Sequence, residues 1–260
     1  MAERPVDFRP LRVVHSVAGM DRIQRVRDVA YKSLPTGPLL MDVYRPLEAD
    51  KARPAVILVH GDGPPDWSKD IKDWGQYVSW GELLAASGLT AVTFNHRSTE
   101  GWTRIAEALS DVEDLVAFVR AGATSYEVDP HRLAIWVASA GGFMGAHLAL
   151  SNRPAVRCLV VFYGLMEPPP SAGADLGRFS AAAKIGKDGP PIFVGRAGLD
   201  RPVLNRVLDA FTDAALQAGL DVELHNHSAG RHAFDLLDPG PRSSEIIARS
   251  VEFLRSRLLA

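Results

Sequence analysis

Short apolar or β-branched runs alternate with amphipathic stretches along this sequence, and that alternation constrains the fold more than any other feature. The runs occupy residues 55–59, 89–94, 132–137, 158–162, 191–194 and 222–225. Runs of this length are typical of parallel strands buried on both faces. The stretches 106–119, 143–150, 201–218 and 243–258 lie between or after them, and most space their apolar residues three and four apart. The pattern predicts an α/β fold, with a mostly parallel central sheet flanked by helices on both faces.

The remaining segments complete a single predicted domain over residues 1–260. Residues 39–44 alternate better than the buried runs do, and they are predicted to pair, antiparallel, with residues near 29–32 at the sheet edge. Residues 1–25 are predicted to form a helix and a connector on the outside. Residues 166–190 are rich in Pro, Gly, Ala and Ser, which predicts a loop or a minimal cap over the sheet.

Composition narrows the class of partner. The formal net charge is −2 over 260 residues, so nothing favours a nucleic acid or an anionic membrane surface. A single cysteine, Cys158, allows no internal disulfide and suits a reducing compartment. No apolar stretch approaches the 18 or more residues of a membrane span, and residues 1–14 contain no signal-peptide core. We therefore expect a cytoplasmic protein that acts on a small molecule, with a homodimer among the assemblies that remain open.

Ser139 is the strongest candidate for a chemical role. It follows the predicted strand 132–137 and precedes a run of small residues and a predicted helix over 143–150. A strand, a tight turn and a helix in this order raise a serine hydroxyl above the sheet, the arrangement called a nucleophile elbow. The usual pattern is G-x-S-x-G, and here Val137 stands where the first glycine is expected. The alternative is that Ser139 merely occupies the glycine-rich start of a helix.

The loop His60-Gly61-Asp62-Gly63 follows the run 55–59 and is the candidate for stabilising a reacting oxygen anion. Backbone N–H groups at such a position, together with the N–H of the residue after the serine, can form an oxyanion hole. We assign Asp62 and Ala140 to this role, with Gly61 or Gly63 assisting. The Asp62 side chain is expected to face away, since its charge would oppose an anion. His60 is interpreted as a hydrogen-bonding support of this loop.

Two later loops supply an acid and a base. Asp200 follows the run 191–194, at the strand end where sites gather in open α/β sheets. His232 lies in a glycine-containing loop after the run 222–225, which gives the chain order Ser, Asp, His. Asp200 could alternatively cap the following helix. His225 and His227 compete with His232 for the role of base. The three histidines also suggest a metal site, but no acidic or cysteine ligand lies at a suitable spacing nearby, so none is predicted.

Taken in order, these motifs resemble the α/β-hydrolase superfamily, and within it the small carboxylesterases of the dienelactone hydrolase and hormone-sensitive-lipase-like groups. The resemblance covers about residues 27–258. It rests on the segments 41–46, 60–63, 94–97, 139–142, 198–200 and 230–234. The sequence departs from those groups at Val137, at Asp62 within what would be a run of glycines, and at residues 98–101.

The resemblance implies a serine esterase that needs no cofactor. Ser139 would attack a short-chain carboxylic ester, His232 would accept its proton, and Asp200 would orient the imidazole. Gly63, Trp67 and Trp102 are expected to border the substrate. A lactonase, an amidase or peptidase with the same triad, and a hydrolase-like binding protein remain alternatives.

Overall fold

The computed structural model describes residues 6–47, 52–151, 156–169 and 179–260. In these residues, eight strands form one sheet in the order β1-β2-β4-β3-β5-β6-β7-β8. The strands β1 and β2 pair antiparallel, as do β2 and β4, and every other pair is parallel. The strands are β1 (Ile23–Leu34), β2 (Gly37–Pro46), β3 (Arg53–Val59), β4 (Thr90–Phe94), β5 (Val128–Ala138), β6 (Val156–Phe162), β7 (Ile192–Ala197) and β8 (Val222–His227).

Helices cover both faces of this sheet, as the alternating pattern predicted. The described helices are α1 (Gly75–Ala86), α2 (Ile105–Ala121), α3 (Ala123–Tyr126), α4 (Gly141–Ser151), α5 (Pro202–Gln217), α6 (Phe234–Leu237) and α7 (Pro241–Leu258). One hydrophobic cluster lies between the sheet and α2, α4 and α5, and the other lies between the sheet and α1, α6 and α7. Successive residues of β3 alternate between the clusters, Ile57 contributing to the first and Leu58 to the second, so the strand is apolar throughout. The predicted fold class is confirmed.

The antiparallel edge pair is also confirmed, with Ala30 opposite Leu40 and Lys32 opposite Leu39. Helix α1 is an element that the sequence analysis did not identify. It is apolar on nearly all sides, so it lacks the amphipathic spacing that marked the others. Gly81 in this helix lets it approach β2, because a Cβ atom there would lie 2.7 Å from the Tyr44 ring.

The helix predicted within residues 1–25 is wrong for the described part of that segment. Residues 6–22 form turns and extended chain, and residues 23–25 already belong to β1. The backbone of this segment bonds to other elements: the Val13 N–H donates to the Ser79 hydroxyl at 2.9 Å and the Val14 N–H to the Asp235 carbonyl at 2.8 Å. Pro10 further disfavours helical backbone at the residue before it. The segment is therefore a strap across α1 and α6.

The predicted loop or cap over residues 166–190 is described only at 166–169 and 179–190, where the chain is irregular apart from the short 3-10 helix Ala182–Lys184. Its middle lies outside the described residues. None of the described helices is both long and apolar enough to cross a membrane.

Candidate active site

Ser139 occupies a sharp corner between β5 and α4. Its φ of +52° lies in the left-handed region, which a residue with a side chain adopts only when its surroundings hold it there. Those surroundings are backbone hydrogen bonds: the Ser139 N–H donates to the Phe162 carbonyl at 3.2 Å, and the Ser139 carbonyl accepts from Gly142 and Leu165 at 3.0 and 2.7 Å. The corner is thus fixed by the neighbouring strand and by the loop that follows it.

Glycines allow main chains to meet at this corner. A Cβ atom on Gly141 would lie 2.5 Å from the His60 carbonyl oxygen, and one on Gly142 would lie 2.6 Å from the Leu165 carbonyl oxygen. Real Cβ atoms do not approach backbone oxygen so closely, so both positions require glycine. The close approach brings the start of α4 against the loop that follows β3.

Val137, which replaces the usual elbow glycine, is fully buried between neighbouring strands. The space for its side chain is provided by Gly145, one turn into α4. A Cβ atom on Gly145 would lie 2.3 Å from Cγ1 of Val137. The departure from the usual motif is therefore matched by a second glycine on the facing helix.

The three residues predicted as nucleophile, base and acid lie in one hydrogen-bonded chain. The distance from Ser139 Oγ to His232 Nε2 is 3.0 Å, and the distance from His232 Nδ1 to Asp200 Oδ2 is 2.6 Å. The Arg201 N–H donates to the other Asp200 oxygen at 2.7 Å, and the Asp200 side chain is only 1% exposed. In this geometry the neutral imidazole donates from Nδ1 to the carboxylate and accepts the serine hydroxyl at Nε2.

The loop predicted to stabilise an anion lies directly beside Ser139. A Cβ atom on Gly61 would lie 3.2 Å from Ser139 Cβ and 3.6 Å from its Oγ. The Asp62 carboxylate accepts hydrogen bonds from the Thr99 N–H, at 3.0 Å, and from the Thr99 hydroxyl, so it is held by a neighbouring loop. Within the described part of the chain, the N–H groups of Asp62 and Ala140 donate to no backbone carbonyl.

His60 supports this loop from below. Its Nδ1 donates to the Gly61 carbonyl at 2.6 Å, and its Nε2 accepts from the His96 N–H at 3.2 Å. The two imidazole rings stack with their centroids 3.6 Å apart. Burial lowers the pKa of both rings, and for His60 the proximity of His96 lowers the pKa further. Both rings are therefore neutral supports at neutral pH.

A cavity of about 980 Å³ opens above Ser139, near the upper end of the range of about 300–1,000 Å³ for ligand pockets. Its apolar wall includes Trp102, Leu165, Leu204 and Val207. Trp102 lines it with a φ of +78°, at the end of a left-handed run that begins at Glu100. The volume leaves room for a ligand larger than a short aliphatic chain.

One predicted substrate contact lies elsewhere. Gly63 and Trp102 line the cavity, but Trp67 does not. Its ring packs over Gly63, where a Cβ atom would lie 2.5 Å from it, and against Trp74 at a centroid distance of 5.2 Å. Trp67, which was predicted to border the substrate, therefore backs the loop that lines the cavity.

The competing histidines point to other partners. His225 stacks on Phe193 with a centroid distance of 4.8 Å, and His227 Nε2 lies 3.1 Å from the Ser243 hydroxyl. Across the ranges that the structure describes, no group of three or more His, Cys, Asp or Glu residues could hold a metal ion.

A buried carboxylate that was not predicted from the sequence lies near His232. Asp235 is fully buried and accepts hydrogen bonds from Tyr163, Trp80 and Gln76. Burial raises the pKa of its carboxyl group, and the three hydrogen bonds oppose that increase. No local pattern marks this group, because its partners lie 72 to 159 positions away in the sequence.

Comparisons with known proteins agree with this architecture. Residues 41–158 match the BD-FAE family, an esterase family of the α/β-hydrolase type. Among solved structures, a truncated carbohydrate esterase from gut microbiota is 19% identical with a TM-score of 0.75, over 95% of this chain and 98% of that one. Esterase 2 of Thermogutta terrifontis, phosphorylated by paraoxon, is 20% identical with a TM-score of 0.74, over 91% and 95% of the two chains.

The same esterase with butyrate bound is 19% identical, with a TM-score of 0.73 over the same shares of the two chains. No curated protein matches the sequence significantly. The likeness to these structures is one of fold. The chain has the α/β-hydrolase fold, and its residues 41–158 match a family of esterases with that fold.

Proposed function

We propose that this protein is a serine hydrolase that cleaves short-chain carboxylic esters through an acyl-enzyme intermediate. The observation that carries the proposal is the hydrogen-bonded chain from Ser139 Oγ through His232 to Asp200, at 3.0 and 2.6 Å. A nucleophilic serine requires a base within hydrogen-bond reach and a third group that orients the base. These distances meet that requirement without rearrangement.

In the proposed reaction, Ser139 Oγ attacks the ester carbonyl carbon and its proton moves to His232 Nε2. Asp200 accepts the Nδ1 hydrogen bond throughout and stabilises the imidazolium. The carbonyl oxygen becomes an anion that accepts hydrogen bonds from the N–H groups of Asp62 and Ala140, with Gly61 lining the same space. His232 then gives its proton to the leaving alcohol, and water cleaves the acyl-enzyme by the same steps in reverse.

Esters are favoured over amides by the comparisons. The similar solved structures are named as esterases, and one of those proteins is described as phosphorylated by paraoxon. Organophosphates react with nucleophilic hydroxyl groups that a neighbouring base activates. A lactone presents the same carbonyl chemistry as an open ester, so lactonase activity is an outcome of the assays below.

The first test is covalent labelling of the purified protein by a fluorophosphonate, with the labelled peptide identified by mass spectrometry. We expect one label per chain on Ser139 and none on Ser139→Ala. Ser151→Ala, at the exposed far end of α4, is the matched control and should label like the wild type. An unlabelled wild type would contradict the proposal and favour a hydrolase-like binding protein.

The second test assigns the bond that is cleaved. Rates on p-nitrophenyl esters of increasing acyl length, on an unsubstituted lactone and on the matched p-nitroanilides should show ester cleavage that is fastest for short acyl groups. Anilide or lactone turnover above that of every ester would replace the esterase assignment with an amidase or a lactonase.

A further inference from the structure

The aromatic ring of Tyr163 packs against the imidazole of His232. The ring centroids lie 4.7 Å apart at an angle of 59°. Tyr163 is the first residue after β6 and is only 2% exposed. Its φ of +40° lies in the left-handed region, a costly conformation for a bulky aromatic residue. A hydrogen bond from its N–H to the Gly195 carbonyl, at 2.8 Å, helps to hold it there.

The hydroxyl of Tyr163 is fixed by the buried carboxylate of Asp235. The hydroxyl donates to Asp235 Oδ1 at 2.6 Å, while Trp80 Nε1 and Gln76 Nε2 each donate to Oδ2 at 3.0 Å. Gln76 Nε2 also lies 3.0 Å from the Tyr163 hydroxyl oxygen. None of the salt bridges between described residues includes Asp235. A buried carboxylate held only by neutral donors is a weak source of stability, so the arrangement calls for another role.

Asp235 is also joined to His232 through a short, fixed piece of chain. Only Ala233, with a φ of +61°, and Phe234 separate the two residues. The Ala233 carbonyl accepts hydrogen bonds from the N–H groups of Leu236 and Leu237, both at 2.9 Å, which closes the first turn of α6. The same carboxylate therefore anchors both the loop that carries the base and the aromatic ring that packs against the base.

We propose that Tyr163 and Asp235 are positioning residues for His232. The two hydrogen bonds of the imidazole, to Ser139 and Asp200, lie in the plane of the ring. They do not prevent the ring from tilting out of that plane, so packing must limit this motion. The Tyr163 ring supplies this packing, and Asp235 fixes the Tyr163 ring through its hydroxyl. This inference rests on the proposed function, because it concerns the base of that reaction.

The experiment compares Tyr163→Phe with Tyr31→Phe. Tyr31, in the edge strand β1, is a matched control, since it is also buried and its hydroxyl donates one hydrogen bond of 2.7 Å, to the Asn95 carbonyl. Three quantities are measured below the lowest melting temperature: kcat and KM for an activated ester, the rate constant of fluorophosphonate labelling, and the low-field proton resonance of the His232 Nδ1–H.

For Tyr163→Phe we expect kcat and the labelling rate constant to fall together, by about tenfold, with KM within about twofold of the wild type. The His232 proton resonance should shift or broaden. Tyr31→Phe should lower the melting temperature by a similar amount yet leave both rates and the resonance unchanged. If Tyr163→Phe does not fold, Asp235→Asn is measured in its place: its side-chain oxygen keeps an acceptor at the site, and kcat and the labelling rate constant should again fall together.

Equal falls of kcat and of the labelling rate constant in Tyr163→Phe and Tyr31→Phe would overturn the inference. An unchanged labelling rate constant and an unchanged His232 resonance in Tyr163→Phe would also overturn it. Either result counts against the inference only if the wild type is labelled on Ser139. A wild type that is not labelled overturns the proposed function instead, so the two failures are distinguishable.

Discussion

Val137 and Gly145 have complementary shapes: the valine side chain fills the space that a side chain at position 145 would need. A Cβ atom on Gly145 would lie 2.3 Å from Val137 Cγ1, 3.0 Å from Ile135 Cγ2 and 3.3 Å from Val59 Cγ2. Helix α4 can therefore lie close to β5, because Gly145 has no side chain where Val137 has one.

Gly145→Ala is expected to destabilise the protein by about 1–3 kcal/mol through overpacking, although alanine is the better helix former by roughly 1 kcal/mol. Denaturant unfolding measures the loss. Adding Val137→Ala should restore part of the lost stability, because it removes the clash with Val137 Cγ1. The recovery should be incomplete, because Ile135 still crowds the new methyl group. Gly186→Ala, where a Cβ atom meets nothing within 4 Å and the residue lies in no helix, is the neutral control. Losses that simply add in the double variant would show that the two residues are not coupled.

Val137→Gly is expected to keep most catalytic activity while costing about 1–3 kcal/mol of stability, from a new cavity and a more flexible chain. Val137→Ala creates most of the same cavity without the added flexibility, and it should cost less. Melting temperature and ester turnover are measured together on both variants. An unchanged melting temperature with lost activity would mean that Val137 serves the reaction rather than the packing.

His232→Ala is expected to reduce turnover as severely as Ser139→Ala, a loss on the order of a million-fold for the members of a triad. His225→Ala and His227→Ala should keep most activity, because their rings contact Phe193 and Ser243 rather than Ser139. Steady-state rates on one activated ester compare all four variants. An inactive His225→Ala or His227→Ala beside an active His232→Ala would assign the base to another residue.

Trp102→Ala is expected to raise KM by about five- to tenfold for esters large enough to reach the apolar wall, with a smaller effect on kcat. Trp67→Ala is the paired variant, since Trp67 does not line the cavity. It should leave KM close to that of the wild type. A larger rise in KM for Trp67→Ala than for Trp102→Ala would show that Trp67 contacts the substrate.

Stability is expected to fall as the pH drops below neutrality. Burial lowers the pKa of His60 and His96 in the folded state below the ordinary value of 6.5, so the unfolded chain binds protons more readily. Their contribution is fully present above about pH 6.5 and is lost as the pH falls from there towards the folded pKa values. Burial also lowers the pKa of His15 and His147, so these two residues contribute to the same pH dependence.

Unfolding free energies between pH 8 and pH 5 test this dependence. His96→Gln removes one of the buried groups and should flatten the slope, whereas His131→Gln changes an exposed residue and should leave it unchanged. The same slope in His96→Gln as in the wild type would exclude His96 as a source of the dependence.

The sequence predicted the sheet well because the strands bury both faces, which leaves runs such as 55–59 uninterrupted. It also predicted the loop that carries each member of the candidate triad, because each of these loops follows a strand. Helix α1 lacks a polar face and escaped the periodicity argument. The strap over residues 6–22 is held by contacts with Ser79 and Asp235, which no local pattern announces.

Side-chain direction was the other limit. Trp67 and Trp102 both follow strands on loops near the site, and the sequence treats them alike. Their difference arises from the backbone: Trp102 stands at a φ of +78° above the cavity, whereas Trp67 turns back onto Gly63. The pairing of Tyr163 with Asp235 was hidden for a related reason, since the two residues meet only through the tertiary fold.

The glycines at the elbow tolerate almost no substitution, whereas the side chains of the cavity wall can be replaced. The spacing between Ser139 and the loop after β3 is set by main-chain atoms meeting at Gly141 and Gly142. The spacing between Ser139 and that loop therefore tolerates substitution of the surrounding side chains, while nearly every substitution at these two glycines is lost. Directed evolution of new specificity has its freedom on the cavity wall, at positions such as Trp102 and Leu204, and a mutational library should place its diversity there.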